Sequence, residues 1–195
     1  MSNRIRFIKV RDVKTPNRGN KGDAGIDFYV PNELKASEIR DLNKKTYNGL
    51  RIFEWVEKVD NKGIEDHISL QQNGMVDHIL LHPGARVIIP SGIKVLIEPE
   101  DSWLVAIDKS GVSTKKGLMA TAKAVDSNYT GEIHICVTNI GLEKQIIVPG
   151  EKLIQFMHLP VYLTEPELID EEEFKSISEN WGNRGENWQG STDNK

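Results

Sequence analysis

Short runs of β-branched and apolar residues, each ended by a turn, dominate the chain from Ile79 onward. The predicted strands are Ile79–Leu81, Arg86–Ile89, Ile93–Ile97, Trp103–Ile107, Ala122–Val125, Ile133–Asn139, Gln145–Val148 and Leu153–Leu159. The runs recur about every 8–12 residues between turns such as Pro-Ser-Gly and Val-Pro-Gly, which indicates an all-β sandwich or barrel. Two more strands are predicted near the start of the chain, over Arg4–Val10 and Ala24–Val30.

A different pattern interrupts the strands between Glu33 and His78. Apolar residues are spread among many charges from Glu33 to about Tyr47, which predicts a short amphipathic helix. Strands or turns are predicted over Arg51–Val59 and Ile64–Met75. We interpret residues 33–78 as a small α/β insertion in one all-β domain that spans residues 1–195.

The end of the chain is polar and changes character twice. Residues 160–174 are acidic and are predicted to hold one helical turn. Residues 176–195 are rich in Gly and Asn yet contain Trp181 and Trp188. A segment this polar cannot build a core, so we expect a flexible C-terminal arm whose tryptophans become ordered on a ligand or partner.

Composition narrows the possible functions. The chain has 195 residues and a net charge of −4, which disfavours a nucleic-acid polymer as its partner. Its single cysteine, Cys136, rules out an intrachain disulfide framework and fits a reducing compartment. Neither a secretory leader nor a membrane-spanning apolar run is visible, so a cytoplasmic protein is expected, without a membrane partner.

The strongest candidate for chemistry is the segment from Ala124 to Ile133. A short strand delivers Asp126 into a turn, Tyr129 follows three residues later, and a new strand begins after Gly131. This arrangement places a carboxylate and an aromatic ring at the edge of a sheet. We interpret Asp126 as a general base and Tyr129 as the platform of a nucleotide site.

Three further segments carry polar groups at strand ends. Lys109, Ser110 and Gly111 offer a cation, a hydroxyl and an exposed backbone N–H, which suit phosphate oxygens, although a solvated turn is the more ordinary interpretation of this segment taken alone. Gln155 lies within an apolar strand, where its amide needs hydrogen-bond partners. Those partners could belong to a ligand, but a core amide bonded to the protein itself is the more ordinary interpretation. Asp27 is either structural or faces metal-bound water.

The arm holds a fifth polar segment, between Arg184 and Thr192. It combines a cation, an aromatic ring, flexible glycines and two hydroxyls, in the residues Arg184, Trp188, Gly190, Ser191 and Thr192. Such a segment could fold over a bound triphosphate and base, although a disordered terminus is common.

Taken in chain order, these five segments resemble the five motifs of the trimeric deoxyuridine triphosphatase (dUTPase) family. The matching stretches are Ala24–Phe28, Lys109–Val112, Val125–Ile133, Gly150–Gln155, and Arg184–Gly185 with Gly190–Thr192. The resemblance covers Arg4–Pro31 and Ile79–Thr192 and omits the insertion, which is similar in place to inserts of phage and viral members. It implies a dUTPase-like β-barrel or jelly roll (β-clip) that hydrolyses dUTP to dUMP and pyrophosphate.

The resemblance also implies a role for each motif. Asp126 would activate the water that attacks the α-phosphorus, and Tyr129 would pack on the deoxyribose. The phosphate-binding residues would be Lys109, Ser110, Gly111, Gln155, Arg184, Ser191 and Thr192. Gly190, in the same motif, would belong to the substrate-binding residues of the arm. Asp27 would lie in the outer shell of a Mg²⁺ ion carried by the triphosphate. Three subunits of a homotrimer would share each site, the arm reaching over from a neighbour.

The chain departs from the family pattern in ways that bear on specificity. Lys109 stands where arginine is usual, which keeps the charge but loses the bidentate fork. Lys123 replaces a common glycine in a shortened hairpin, Gly117–Asp126, that in the family reads uracil through its backbone. Trp188 lies one position before the place of the stacking aromatic residue, where this chain has Gln189. Selection of uracil over cytosine is therefore open at Lys123.

Three other functions make different demands on the residues. The related dCTP deaminases carry a catalytic glutamate where this chain has Cys136, so deamination is disfavoured and Cys136 is expected to be a small core residue. His78 and His82 lack the helical context of a zinc site. A protein-binding regulator on a dUTPase scaffold, with the insertion as its docking surface, remains a hypothesis of another class.

Overall fold

The computed structural model describes residues 3–45 and 68–179. Its strands are β1 (Arg4–Lys9), β2 (Ile26–Tyr29), β3 (Ile68–Leu70), β4 (Val76–Leu81), β5 (Arg86–Glu98), β6 (Ser102–Asp108), β7 (Leu118–Ala120), β8 (Ala124–Asp126), β9 (Glu132–Asn139), β10 (Gln145–Ile147) and β11 (Lys152–Pro160). Its helices are α1 (Ala36–Lys45), α2 (Ser110–Lys116) and α3 (Glu171–Ser178). None of the helices in these described ranges is long and apolar enough to cross a membrane.

The strands form three antiparallel sheets, which confirms the predicted all-β jelly-roll class. The first sheet has the order β1-β5-β9-β7, the second β2-β11-β6-β8, and a small third sheet β10-β4-β3. One buried cluster unites them, with Ile89 and Ile135 from the first sheet, Phe156 from the second and Ile79 from the third. The Phe28 ring in β2 contacts the Phe156 ring at 4.6 Å between centroids, so aromatic packing reinforces this shared core.

Strand β5 corrects one sequence prediction. Arg86–Ile89 and Ile93–Ile97 were expected to be two strands separated by a Pro-Ser-Gly turn, but β5 runs unbroken through these residues. The register with β9 shifts between Pro90 and Lys94, and Gly92 has φ +73°. Proline and a positive-φ glycine therefore make a bulge here, which bends one long strand instead of ending it.

Helix α1 confirms the predicted amphipathic helix and shows that the start of the insertion is part of the core. Leu34 and Ile39 are 1% exposed. The buried Asn43 side chain donates to the Ile88 carbonyl at 3.0 Å and accepts from the Ile88 N–H at 3.1 Å. Asn43 thus pairs with β5 as a neighbouring strand would. The prediction for Arg51–Val59 lies outside the described residues, and that for Ile64–Met75 is met in part by β3.

Residues 162–179 belong to a second compact unit, which begins at Tyr162. Its helix α3 is longer than the single turn predicted within residues 160–174. Asp170 caps the start of the helix by accepting from the Glu173 N–H at 2.9 Å. Lys175 and Glu171 add an ion pair one turn apart. The helix continues to Ser178, inside the segment predicted to be the arm. The arm residues 180–195 lie outside the described ranges.

Candidate active site

The turn after β8 presents Asp126 and Tyr129 to solvent. The Asp126 carbonyl accepts from the Tyr129 N–H at 3.1 Å, which closes the turn. Ser127 donates its hydroxyl to the Glu100 carbonyl at 2.8 Å and ties the turn to the loop before β6. Asp126 is exposed and Tyr129 is 41% exposed, so one turn offers both a carboxylate and an aromatic ring to solvent.

Gly131 makes room for the Tyr129 ring. A Cβ atom on Gly131 would come within 2.3 Å of the Tyr129 hydroxyl oxygen, so any larger residue would force the ring to move. The Tyr129 hydroxyl donates to the Glu132 carbonyl at 2.9 Å. The glycine thus allows the ring to fold back over its own turn, and the hydrogen bond fixes the ring there.

A second polar cluster lies where β2 and β11 run side by side. The Asp27 side chain is only 4% exposed, and its two oxygens are bound by the Lys109 ammonium and, at 3.1 Å, by the Lys152 ammonium. Burial opposes ionisation of Asp27, but the hydrogen bonds from the two lysines outweigh it and hold the pKa of this carboxyl below its ordinary value. Asp27 also raises the pKa of Lys152.

This cluster adds a residue that sequence analysis did not single out. Lys152 lies in the segment matched to the fourth motif, but its side chain reaches Asp27 near a register shift between Lys152 and Ile154. Strand alternation does not predict such a contact, so the only usable signal was a second lysine close to Gln155. The predicted roles of Asp27 at Mg²⁺ and Lys109 at phosphate stay predictions; in this structure the two residues bind each other.

Gln155 lies next to this cluster. It pairs with Asp27 across β2 and β11, and its side-chain amide donates to the Asp108 carbonyl at 3.0 Å. A Cβ atom on Gly25 would come within 2.0 Å of the Gln155 Oε1 atom, so Gly25 leaves the space that the glutamine fills. Asp108 in turn accepts from the Ala120 N–H at 2.6 Å.

Ser110 and Gly111 begin α2 directly after Lys109. Both residues are exposed, and a Cβ atom on Gly111 would meet no atom within 4 Å. As the first two residues of α2, Ser110 and Gly111 have N–H groups with no acceptor within the helix, whereas the Ser110 carbonyl accepts from the Thr114 hydroxyl at 2.7 Å. The predicted turn is therefore the first turn of a helix, and its polar groups are accessible to a ligand.

The two clusters lie at opposite ends of β6. Asp126 pairs with Trp103 at the start of this strand, whereas Gln155 pairs with Ile107 near its end and Lys109 follows it. The interval from Trp103 to Lys109 corresponds to roughly 20 Å of extended strand. One copy of the chain therefore does not bring the predicted catalytic carboxylate to the predicted phosphate-binding cation.

The segment predicted to be a base-reading hairpin, Gly117–Asp126, has a different form. Its strands β7 and β8 pair with β9 and β6 in different sheets and not with each other. Lys123 lies exposed on the crossing between the sheets, and its carbonyl accepts from the Ala106 N–H at 2.7 Å. The prediction of a hairpin was wrong, because β7 and β8 each pair with a longer strand of a different sheet, β9 and β6 respectively.

The remaining predicted residues divide into two groups. Arg184, Trp188, Gly190, Ser191 and Thr192 lie outside the described residues. Cys136 is a small core side chain as expected, 4% exposed and 3.1 Å from the Thr121 hydroxyl. Within residues 3–45 and 68–179, no three His, Cys, Asp or Glu side chains come together as a metal site.

We expect acid to destabilise the fold in two steps. Burial holds the pKa of His134 and His158 below 6.5 in the folded state, so on acidification the unfolded chain protonates these histidines before the folded protein does. The stability that the two neutral histidines contribute is therefore complete above pH 6.5 and is lost as the pH falls from 6.5 through their folded pKa values. The lowered carboxyl pKa values of Asp27 and Glu38 add stability that is lost only below their ordinary 3.8 and 4.5. Urea unfolding midpoints measured from about pH 8 to about pH 3 test this order. A His134→Asn variant should lack part of the first step, and a midpoint that rises on acidification contradicts the expectation.

Comparisons with known proteins follow this geometry. No family model matches the chain. The deoxyuridine 5'-triphosphate nucleotidohydrolase of Klebsiella pneumoniae strain 342 is 32% identical over 97 residues, which cover 49% of this chain and 64% of that protein. The enzyme of the same name from Enterobacter sp. strain 638 is 30% identical over 95 residues, covering 48% and 62%. The chain thus spans somewhat less than two thirds of the length of these relatives.

Solved structures extend the likeness to the whole fold. A dUTPase variant of Staphylococcus bacteriophage 80alpha with dUpNHpp has a TM-score of 0.62 at 20% identity, covering 97% of this chain and 98% of that one. The native EIAV dUTPase has a TM-score of 0.54 at 20% identity, covering 86% of this chain and 98% of that one. These structures define the class of fold, an all-β dUTPase-like domain. In sequence the chain is similar to dUTPases over about half of its length, and in fold it is similar to them over nearly the whole chain.

Proposed function

We propose that this protein hydrolyses dUTP to dUMP and pyrophosphate, with Asp126 as the general base. The observation that carries the proposal is that the exposed Asp126 and Tyr129 lie in one turn, which hydrogen bonds hold on both sides. A water held by Asp126 would attack the α-phosphorus in line. The new bond joins water oxygen to phosphorus, the bond to the bridging oxygen breaks, and the proton passes to Asp126.

The second cluster supplies what the phosphates require. Lys109 and Lys152 carry positive charge, and Ser110 and Gly111 offer a hydroxyl and an N–H to open space. Charge stabilisation and positioning account for most of the catalysis in phosphoryl transfer. Gln155 would lie near the α-phosphate, and Tyr129 would pack on the deoxyribose and exclude a 2′-hydroxyl. The arm residues Arg184, Ser191 and Thr192 would hold the terminal phosphates, with Trp188 on the base.

The distance between the clusters supports a site shared between subunits. Roughly 20 Å of strand β6 separates Asp126 from Lys109 within one chain, so a single active site requires Asp126 from one copy and the lysine cluster from another. A closed ring of three copies, joined head to tail, would build three equivalent sites. We therefore include a homotrimer with shared sites in the proposal.

A single carboxylate, Asp27, lies near the proposed phosphate site, which suits a Mg²⁺ ion carried by the substrate better than one held by the protein alone. Mg²⁺ in nucleotide enzymes is held mainly by phosphates and waters with one or two carboxylates, and Asp27 is a single ionised carboxylate next to the proposed phosphate site. Bound Mg²⁺ would neutralise charge on the triphosphate. If Lys109 left Asp27 to bind a phosphate of the substrate, the freed Asp27 carboxylate would bind the waters around this Mg²⁺ ion. A variant of the Staphylococcus phage phi11 dUTPase, 17% identical to this chain, coordinates a structural Mg(II) ion.

A panel of dUTP, dCTP, dTTP and UTP with Mg²⁺ tests the proposal. We expect pyrophosphate release from dUTP, with UTP rejected at Tyr129. Efficient hydrolysis of dCTP would instead support altered base specificity at Lys123. No pyrophosphate from any of the four nucleotides would overturn the enzyme assignment and favour a protein-binding regulator that docks through the insertion. Helix α1 buries Ile39 and Asn43, so the inner face of this part of the insertion packs into the core.

A further inference from the structure

The Tyr129 hydroxyl depends on a single acceptor. It donates to the main-chain carbonyl of Glu132, the first residue of β9, at 2.9 Å. Since Tyr129 is 41% exposed, little packing holds its ring from the outer side. The position of the ring is therefore set by the position of Glu132 and by the space above Gly131.

The Glu132 carboxylate is held by three donors. Arg11 binds it through two parallel hydrogen bonds, Nε to Oε1 at 2.8 Å and Nη2 to Oε2 at 3.2 Å. The Gly92 N–H donates to the same Oε1 atom at 2.7 Å. The Glu132 side chain is 16% exposed, so this fork–fork pair is shielded from solvent and geometrically specific. Glu132 is thereby fixed to the bulge of β5.

Arg11 also reaches the insertion. Its remaining terminal nitrogen, Nη1, donates to Glu38 Oε1 of helix α1 at 2.5 Å. The Arg11 stem lies over Gly92, where a Cβ atom would approach the Arg11 Cβ to 3.0 Å. Both carboxylates raise the pKa of Arg11, with the Glu132 hydrogen bonds contributing most. A continuous set of charged contacts thus runs from α1 through Arg11 to the residue that holds Tyr129.

We propose that Arg11, supported by Glu38 of the insertion, is a positioning residue for Tyr129 and sharpens discrimination between deoxyribose and ribose. The inference rests on the proposed function, in which Tyr129 packs on the sugar. Arg11 does not touch the substrate; it holds Glu132, and Glu132 holds the tyrosine hydroxyl. Ribose differs from deoxyribose by one oxygen atom, which the Tyr129 ring would exclude by its position. A ring that can shift by about 1 Å would therefore lose much of this discrimination.

The test compares kcat/KM for dUTP and UTP in Arg11→Met, Glu38→Gln and wild type. We expect the dUTP preference to fall about tenfold in Arg11→Met, since small displacements of positioning groups carry effects of this size or larger. Glu38→Gln should lower it less, because Arg11 keeps its two bonds to Glu132. Arg6→Met is the matched control: it removes a two-bond Arg–Glu pair, with Glu98, from the same sheet without contacting the turn.

A double variant separates positioning from general loss of structure. In Tyr129→Phe the hydroxyl is absent, so Arg11→Met should add little further change in sugar preference, whereas independent effects would multiply. Hydrogen exchange of residues 126–132 should be faster in Arg11→Met than in Arg6→Met. An unchanged sugar preference in a folded, active Arg11→Met protein would overturn the inference alone. A wild-type protein that does not hydrolyse dUTP would overturn the proposed function, and the exchange measurement would still show whether Arg11 holds the turn.

Discussion

The Asp126→Asn variant is expected to lose dUTP hydrolysis by about 10²- to 10⁴-fold in kcat, the range typical of a lost general base. The affinity for dUTP should change little. Asparagine keeps the size of the side chain, and the turn is closed by main-chain and Ser127 hydrogen bonds that the substitution does not touch. Asparagine cannot take a proton from water at neutral pH, so binding and chemistry should separate cleanly in this variant.

Single-turnover kinetics and nucleotide binding by calorimetry measure these two quantities. Asp101→Asn serves as the control, because Asp101 is also exposed and lies in the loop near Trp103, which pairs with Asp126. The control should retain wild-type rates. Normal turnover by Asp126→Asn would remove the proposed base from the mechanism, whereas a loss of binding equal to the loss of rate would indicate a damaged turn.

The Lys109→Met variant is expected to lower kcat/KM for dUTP by about 10²-fold, as removal of one charged or polar stabiliser of the transition state commonly does. The substitution has a second effect on the fold. Asp27 is almost fully buried and would keep only Lys152 as a partner, so the folded state should become less stable. Lys109→Arg keeps the charge and adds a planar fork, and it should retain activity.

Lys116→Met is the matched control for this loss of an ion pair. Lys116 binds Glu151 from the last turn of α2 and forms no ion pair with Asp27. It should lose some stability but little activity. If Lys109→Met is destabilised but fully active, Lys109 is a structural partner of Asp27 and not a phosphate ligand.

The two inactive variants also test the shared site together. If Asp126 and Lys109 act in one site from different copies, co-folded Asp126→Asn and Lys109→Met chains should recover about a quarter of the wild-type rate, the share of interfaces with both native residues in a randomly mixed ring. Mixing after folding, without subunit exchange, should recover none. Equal absence of activity in both mixtures would mean that each site is built within one chain.

Much of the architecture was accessible from local patterns. Strands such as β6, β9 and β11 have alternating or continuous apolar runs with clear turn signals, and they were predicted within about one or two residues. The bulge in β5 was missed because Pro-Ser-Gly is compatible with a turn and with a bulge, and only pairing to β9 and β1 distinguishes them. The absent hairpin at Lys123 has the same origin, since local sequence does not choose the partner of a three-residue strand.

Local chemistry and tertiary contacts contributed differently to the candidate site. The residue types and their order along the chain sufficed to single out Asp126, Tyr129, Lys109 and Gln155, because a base, a ring, a cation and an amide at strand ends have recognisable chemistry. Which of these residues lie together in space could not be predicted from the sequence. Lys152 joins Asp27 across two strands, Arg11 joins Glu132 across 121 positions, and Asp126 lies at the far end of β6 from Lys109. Such contacts arise from strand register and sheet order. Both depend on the free energy of the whole packed core, so the residues next to each contact in the sequence do not predict it.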